Sequence, residues 1–330
     1  MAKIKKLPSG SYRMQVQKNG IRKSFTASTK NQVILQAAKW LNDFSIAKDK
    51  IDLQDAIENY IEKNKDILSP STIRGYVISL NRIKKYEISK KKIDSITSDD
   101  LQTFIKLLNN AYSPKTVKNT YGLITSIFAF EGILVPKGIN LPPTQKKTYQ
   151  LPSRKGLQAI ISECEDISLK IAIMLASYCG LRRSEIVALT SDDLEKNILH
   201  IHSAMVKGAD KQFYIKSTKT KSSTRQVIVP NFILKEIKKI EGRLVPLTPA
   251  ALTKKWEVLR KKYNLETRFH DLRHYSASLM HAEGVPDQYI MQKHGWKTDY
   301  ALKNIYRNEI DEYTISINKK FNQLIEEDFE

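Results

Sequence analysis

Hydrophobic positions near the start of the chain follow the two-residue period of a β-strand. In YRMQVQ, Tyr12, Met14 and Val16 alternate with polar residues, and in IRKSFT the alternation resumes with Ile21 and Phe25. The intervening KNG supplies turn residues, so the whole segment predicts a β-hairpin. The following NQVILQAAKWLNDFSIAK has the period of an amphipathic helix, which can cover the apolar face of this small sheet.

The period becomes helical from residue 51 to about 137, where four or five short helices are predicted. Two of them open with Ser-Pro, at residues 69–70 and 113–114. This pair predicts a helix start, because serine caps helices and proline fits the first turn. The proline-rich VPKGINLPPTQKKTYQLP then predicts a linker, with a domain boundary near residue 145. After it, helical and strand-like segments alternate to the end of the chain.

These patterns predict a multidomain, mostly α fold. We expect a small N-terminal β-sheet plus helix domain, a helical domain, a linker, and a mixed α+β, mainly helical third domain with a C-terminal tail. The predicted bounds are 1–50, 51–137, 138–150 and 151–330.

Charge adds a partner to this picture. The 330 residues carry a formal net charge of +20, and residues 1–50 alone hold eleven basic and two acidic residues. Such an excess usually means a polyanion partner or an anionic membrane surface, although a merely soluble surface would show the same numbers. No apolar run approaches the ~20 residues that span a bilayer, and the N-terminus lacks a signal-peptide pattern. We therefore expect no membrane partner and a cytoplasmic, DNA-associated protein.

The two cysteines do not indicate a chemical role. Cys164 and Cys179 form neither a disulfide framework nor a CxxC metal motif, and Cys179 lies inside the apolar run IAIMLASYCGL. We expect both to be buried thiols.

An arginine-rich turn follows that apolar run. After a Gly-Leu break come Arg182, a second arginine and then Glu185. An arginine at such a turn either faces solvent or is held rigidly toward a pocket, where its planar fork suits phosphate oxygens. Glu185 is placed to orient Arg182.

A basic hairpin is predicted next. ILHIH and RQVIVP are strand-like ends around a tip rich in Lys, Ser and Thr, which carries Lys216, Lys219 and Lys221. Such a tip can reach into a DNA groove, or it can be an ordinary exposed turn.

The segment RFHDLRHYSASLMHAEG groups three candidate site residues. His270 and His274 have the i, i+4 spacing of a helical zinc site, but the glutamate of HExxH is absent and no third ligand is evident. His270 and Arg273, at i, i+3, aim an acid/base group and a fixed cation at one point, which suits a phosphodiester. Both interpretations stay open on spacing alone.

The motifs GLRRSE, STKTKSSTR, HDLRH, HGW and NIYRN occur in that order along the chain. In their order and rough spacing they resemble the tyrosine recombinase (phage integrase) family, and the likeness covers nearly the whole chain. It implies an arm-type DNA-binding domain, a core-binding helical domain and a catalytic domain, in the three places where the patterns predict domains. Trp296 departs from the commonest family pattern, which has histidine after this glycine.

The resemblance implies a role for each matching residue. Arg182 and Arg273 would hold the non-bridging phosphate oxygens, with Glu185 supporting them. Tyr306 would be the nucleophile and His270 would exchange a proton with it. The remaining matches are Lys219, which would protonate the leaving 5′ oxygen unless Lys221 does so, Trp296, which would donate its indole N–H, and His294 and His274 as neighbours of secondary importance.

The activity implied is that of a site-specific DNA recombinase, an integrase working through a 3′-phosphotyrosyl intermediate without metal or cofactor. Its partners would be double-stranded DNA at core and arm-type sites, three further copies in a homo-tetramer, and an accessory directionality factor. The acidic tail, including Ile315 and Phe321, would dock on a neighbouring copy or pack on its own domain. Alternatives are a chromosome- or plasmid-resolving recombinase, a type IB topoisomerase, and a non-catalytic DNA-binding regulator with this fold.

Overall fold

The computed structural model describes residues 4–18, 21–46, 51–144, 151–217, 224–299, 302–303 and 322. The chain folds as two units, residues 1–145 and 146–330. Within the described ranges no helix is long and apolar enough to cross a membrane.

The first unit begins with an antiparallel three-stranded sheet covered by one helix. Its strands are β1 (Ile4–Lys6), β2 (Tyr12–Lys18) and β3 (Ile21–Ala27), in the order β1-β2-β3, and the helix is α1 (Lys30–Ile46). Val16 of the sheet and Val33 and Ala37 of the helix are buried, so one apolar stripe of α1 packs on the sheet. The predicted hairpin and its covering helix are confirmed.

Four α-helices, with the 3-10 turns Glu87–Lys90 and Ile93–Ser95, form most of the remaining described part of this unit. They are α2 (Leu53–Asn64), α3 (Pro70–Ile83), α4 (Ser98–Ala111) and α5 (Pro114–Phe130). Proline occupies the first turn of α3 and α5, where no intrahelical N–H bond is lost. The hydroxyls of Ser69 and Ser113 accept hydrogen bonds from the backbone N–H groups of Thr72 and Thr116. Both predicted Ser-Pro helix starts are confirmed.

Part of the predicted linker is packed rather than extended. The hydroxyl of Ser98 donates to the carbonyl of Lys137 at 3.0 Å, and Asn140 exchanges two hydrogen bonds with the side chain of Gln102, at 2.8 and 3.2 Å. Leu141 packs against the helical core. The prolines break the helix, as predicted, but the apolar residues between them still find a place on the core.

The second unit surrounds a buried helix. Eight of the eleven residues of α7 (Ile167–Ser177) are buried, and helices on several sides contact it. The helices of this unit are α6 (Arg154–Glu163), α7, the single-turn α8 (Arg183–Ile186), α9 (Asn231–Ile237), α10 (Pro249–Lys262), α11 (Asp271–Ala282) and α12 (Asp287–His294). Cys164 and Cys179 are buried, as expected.

Two small sheets complete this unit. The first has the order β4-β5-β8, from β4 (Leu194–Glu195), β5 (Ile198–Ile201) and β8 (Arg225–Ile228); the second pairs β6 (Ser203–Lys207) with β7 (Phe213–Ser217).

The predicted basic hairpin is right at its ends and wrong between them. Ile198 pairs with Ile228, so the two predicted strands meet. The chain between them forms its own hairpin, with Met205 opposite Ile215, because these apolar residues alternate like strand positions. Lys216 therefore lies within β7 and not at a tip, whereas residues 218–223, with Lys219 and Lys221, lie outside the described residues.

Candidate active site

A buried carboxylate organises the arginine-rich turn. Gly180, with φ of +68°, reverses the chain after α7 and brings Arg182 to the start of α8. Glu185 reaches back in the manner of a helix cap: it accepts the backbone N–H of Arg182 at 2.7 Å and the Nη1 of the same residue at 2.6 Å. The Glu185 side chain is 2% exposed, whereas that of Arg182 is 31% exposed. These contacts hold Arg182 and Glu185 together, and the supporting role of Glu185 at the site stays a prediction.

Arg225, to which the sequence motifs assigned no role, binds the same carboxylate. Arg225 donates from Nη1 and Nη2 to the two carboxylate oxygens of Glu185, at 3.1 and 2.9 Å. It opens β8, where it shares the buried face with Val227. The strand alternation of RQVIVP already placed Arg225 on the same face as Val227, so an inward-facing arginine was readable in the sequence.

These contacts set the charge of Glu185. Burial by itself raises the pKa of this carboxyl, but the hydrogen bonds and charge of Arg225, together with the charge of Arg182, outweigh it and bring the pKa below its ordinary value. Glu185 is therefore ionised at neutral pH and acts as the shared anion of the cluster.

Arg273 also approaches this carboxylate. Its Nη1 is 4.0 Å from Glu185, and its side chain is 1% exposed. Nη1 also donates to the carbonyl of Gly180, and Nη2 donates to the carbonyl of His294. Burial, then the charge of Arg182, lowers the pKa of Arg273, but a guanidinium stays protonated in proteins. The site consequently holds three cations around one anion.

His270 lies at the open side of the cluster. It precedes α11 and, with Arg182, Trp256 and Arg268, lines a cavity of about 430 Å³. Partial burial and then the charge of Arg273 lower the pKa of His270 to about 4. His270 is therefore neutral at pH 7, and because solvent reaches its side chain it can accept a proton.

His270 and His274 are close neighbours in the structure, as their i, i+4 spacing predicts. The rings of His270 and His274 are 5.1 Å apart and nearly perpendicular. No group of three or more His, Cys, Asp or Glu side chains within metal-binding reach occurs among the described residues. Among the nearby charges, Arg273 and Arg268 lower the pKa of both rings, whereas Asp271 raises it. The role of this pair in phosphate chemistry stays a prediction.

His294 and Trp296 form a stacked pair at the end of α12. Their ring centroids are 4.7 Å apart, with 24° between the ring planes. His294 is fully buried; its Nδ1–H donates to the carbonyl of Ile290 at 2.8 Å, and its Nε2 lies so near Gly180 that a Cβ there would be 2.5 Å away. Burial and the charge of Arg273 hold the pKa of His294 far below its ordinary value. The His294 ring is therefore neutral at pH 7, and the Trp296 ring stacks on it.

Trp296 lies over Arg273. The guanidinium carbon is 5.2 Å from the ring centroid, a cation–π arrangement. The structure thus brings together Arg182, Glu185, His270, Arg273, His294 and Trp296, all of them named from the sequence. Lys219 and Tyr306 lie outside the described residues, so their places at this site stay predictions.

The neutral histidines give a testable pH dependence of stability. The pKa of His274 is lowered from 6.5 to about 4, first by burial and then by His270. The unfolded chain binds the proton that the folded chain refuses, so the free energy of unfolding should fall as pH drops from about 6.5 to about 4, by roughly 2 kcal/mol from this residue. Urea titrations of His274→Gln should show a flatter pH dependence over this window.

His281→Gln is the matched control, since His281 is an exposed residue of the same helix. Its pH dependence should follow that of the parent chain. An unchanged slope in His274→Gln would contradict a neutral, buried His274.

The chain is similar to known proteins in sequence and in fold. Residues 153–312 match the family model described as the phage integrase family. Tyrosine recombinase XerA of Pyrococcus horikoshii is 25% identical over 232 residues, covering 68% of this chain and 78% of that relative. The ICEBs1 integrase of Bacillus subtilis is 26% identical over 267 residues, covering 70% and 69%. Among solved structures, the Tn1549 transposon integrase in complex with transposon right end DNA covers 82% of this chain and 100% of its own, with 16% identity and a TM-score of 0.68, which shows the shared fold.

Proposed function

Because the chain belongs to the tyrosine recombinase (phage integrase) family, we propose that it is a site-specific DNA recombinase that cuts and rejoins strands through a 3′-phosphotyrosyl intermediate. The observation that carries the proposal is the charge of the site. Arg182, Arg225 and Arg273 around the single carboxylate of Glu185 leave two positive charges uncompensated. A phosphodiester under attack by an ionised phenol carries two negative charges in all, and preorganised cations stabilise that state.

Each step of the proposed reaction can be assigned to a residue of this chain. The Oη of Tyr306 attacks the scissile phosphorus, and its proton passes to the neutral imidazole of His270. The bond to the 5′ oxygen breaks, and Lys219, or Lys221 if the alignment has slipped, protonates that oxygen. Rejoining runs the same steps backwards on a partner strand. One phosphodiester replaces another, so bond energy is conserved and neither ATP nor metal is required.

Arg182, Arg273 and the indole N–H of Trp296 would hold the non-bridging oxygens. Arg182 is exposed enough to do so as it stands. Arg273 is 1% exposed and lies against the Trp296 ring, so contact with phosphate requires a local shift of its neighbours. Trp donates only from Nε1, so for Trp296 to hold the same phosphate that atom would have to face it.

The chain would act on double-stranded DNA as a homo-tetramer, with its helical block at core sites. Relatives of both the integrase and the Xer type match it, so similarity alone does not separate a phage or mobile-element integrase from a resolving recombinase. The basic sheet-and-helix segment at the N-terminus favours the integrase, which would use an accessory directionality factor. Because this N-terminal segment is basic, it would bind an arm-type DNA site.

A nicked duplex carrying the crossover site tests the proposed function. A nick just beyond the scissile phosphate lets the short released strand diffuse away, so the enzyme should accumulate as an SDS-resistant covalent adduct, in EDTA and without ATP. Strand exchange between two labelled duplexes separates a recombinase from a type IB topoisomerase, which only relaxes supercoils. Absence of any adduct on the cognate site would favour the non-catalytic regulator, and chelator-sensitive cleavage restored by zinc would revive the metal site.

Removal of residues 1–50 tests the arm-type domain. The fragment 51–330 should keep its footprint at the crossover site and lose protection of outlying sites, because the removed segment contributes +9 of the +20 net charge. The salt dependence of its DNA affinity should flatten by about one unit for each phosphate that the fragment no longer binds. Circular dichroism melting checks that the fragment is folded, and identical footprints for fragment and full chain would count against an arm-type domain.

A further inference from the structure

The last turn of α12 is held by arginines from three other parts of the chain. Three successive backbone carbonyls at its end each accept a hydrogen bond from a different guanidinium. The pairs are Arg225 Nε to the carbonyl of Lys293 at 2.7 Å, Arg273 Nη2 to that of His294, and Arg182 Nη2 to that of Gly295 at 3.0 Å. Terminal carbonyls of a helix have no partner within it and carry the negative end of its dipole, so cations stabilise them.

The same three arginines meet again at Glu185. Arg182 and Arg225 hydrogen-bond to its carboxylate, and Arg273 approaches to 4.0 Å. The carboxylate and the end of α12 are therefore two anionic anchors that share one set of cations. Moving either anchor would move Arg182, the one of these three arginines that lines the cavity beside His270.

Arg225 differs from the other two in how its donors are used. Each of its three guanidinium nitrogens donates to a protein acceptor, two to Glu185 and one to Lys293. Its side chain is 5% exposed, and it is not among the residues that line the cavity beside His270. It bridges the two anchors and presents nothing to a substrate.

We propose that Arg225 is a positioning residue for the reaction: it holds Glu185, and through it Arg182, in register with the end of α12 that carries Trp296. This inference rests on the proposed recombinase function and adds a residue to it. Without Arg225, the buried Glu185 carboxylate would draw Arg182 and Arg273 inward to complete its neutralisation, away from an entering phosphate.

Substitution of Arg225 by lysine distinguishes a positioning role from simple charge balance. Arg225→Lys keeps the positive charge, but its single nitrogen cannot span both oxygens of Glu185 and the carbonyl of Lys293. If Arg225 only balances charge, lysine should suffice. If it sets geometry, lysine should fail at the chemical step while the chain remains folded and still binds DNA.

The experiment compares two nicked duplexes, one with the natural phosphodiester at the scissile position and one with a methylphosphonate. The methylphosphonate lacks one charged oxygen and so depends less on a correctly placed pair of cations. For Arg225→Lys we expect DNA affinity within about 3-fold of the parent and adduct formation on the phosphodiester slower by about 100-fold. On the methylphosphonate the deficit should shrink to about 10-fold or less, because less charge needs to be stabilised.

Arg260→Lys is the matched control, because Arg260 also donates to a backbone carbonyl, that of Leu265 at 2.8 Å, and lies on α10 outside the Glu185 cluster. This control should lower the stability of the chain, and its rate of adduct formation relative to the parent should be the same on both duplexes. Equal adduct rates for Arg225→Lys and the parent, or the same deficit on both duplexes, would overturn the positioning role.

Glu185→Gln keeps the test decisive if Arg225→Lys does not fold. It preserves side-chain volume and removes the shared anion, so it should show the same larger deficit on the phosphodiester. Parent-like rates for Glu185→Gln on both duplexes would overturn the inference. Failure of the proposed function looks different: the parent chain itself would then form no adduct on either duplex, and the inference would fall with it.

Discussion

A Tyr306→Phe chain should bind crossover-site DNA as tightly as its parent and form no covalent adduct with a nicked duplex. The substitution removes one oxygen, the atom that we propose attacks the phosphorus, and leaves the aromatic ring to make the same packing contacts. Loss of a nucleophile from an assembled site costs roughly 10⁴-fold or more in the chemical step. Gel-shift titration and SDS gels of the same mixtures would measure binding and adduct separately.

Two neighbouring tyrosines are the controls for this prediction. Tyr300 and Tyr313 lie six residues before and seven after Tyr306, near enough to be the nucleophile if the motif alignment has slipped. Their Phe variants should form the adduct at parental rates. Adduct formation by Tyr306→Phe, together with its loss in either neighbour, would move the nucleophile to that neighbour.

Arg273→Lys should slow adduct formation by about 100- to 1000-fold while crossover-site binding changes little. Arg273 donates to the carbonyls of Gly180 and His294 from two nitrogens and lies over the face of Trp296. A lysine ammonium has one nitrogen and cannot span both carbonyls and also hold two phosphate oxygens. The first-order rate of adduct formation at saturating enzyme measures the effect.

Arg260→Lys is the matched control for Arg273→Lys. Arg260 donates from Nη1 to the carbonyl of Leu265 at 2.8 Å and belongs to α10 of the same unit, outside the Glu185 cluster. Its rate should stay within about 3-fold of the parent, as for a partly exposed site with one replaceable bond. Parent-like cleavage by Arg273→Lys, with a melting temperature equal to that of the control, would remove Arg273 from the site.

Local patterns in the sequence determined most helices and strands of this protein and the pairing of Arg182 with Glu185 in its site. Ser69 and Ser113 with their following prolines mark helix starts because capping joins groups only three residues apart. The alternation of Tyr12, Met14 and Val16 marks a strand because side chains change face at every residue. The bond between Arg182 and Glu185 is local in the same way. Such features depend on neighbours in the chain and are readable without knowing what packs where.

Only the tertiary structure decided which charged groups from distant parts of the chain contact each other. Arg225 reaches Glu185 across forty positions, and the carbonyls at the end of α12 receive donors from three separate segments. The close approach of His294 to Gly180 and the covering of Arg273 by Trp296 are of the same kind. The period of RQVIVP puts Arg225 on an inward face, but only packing determines which buried anion it meets, because a desolvated carboxylate is stable only where the fold brings enough donors to it.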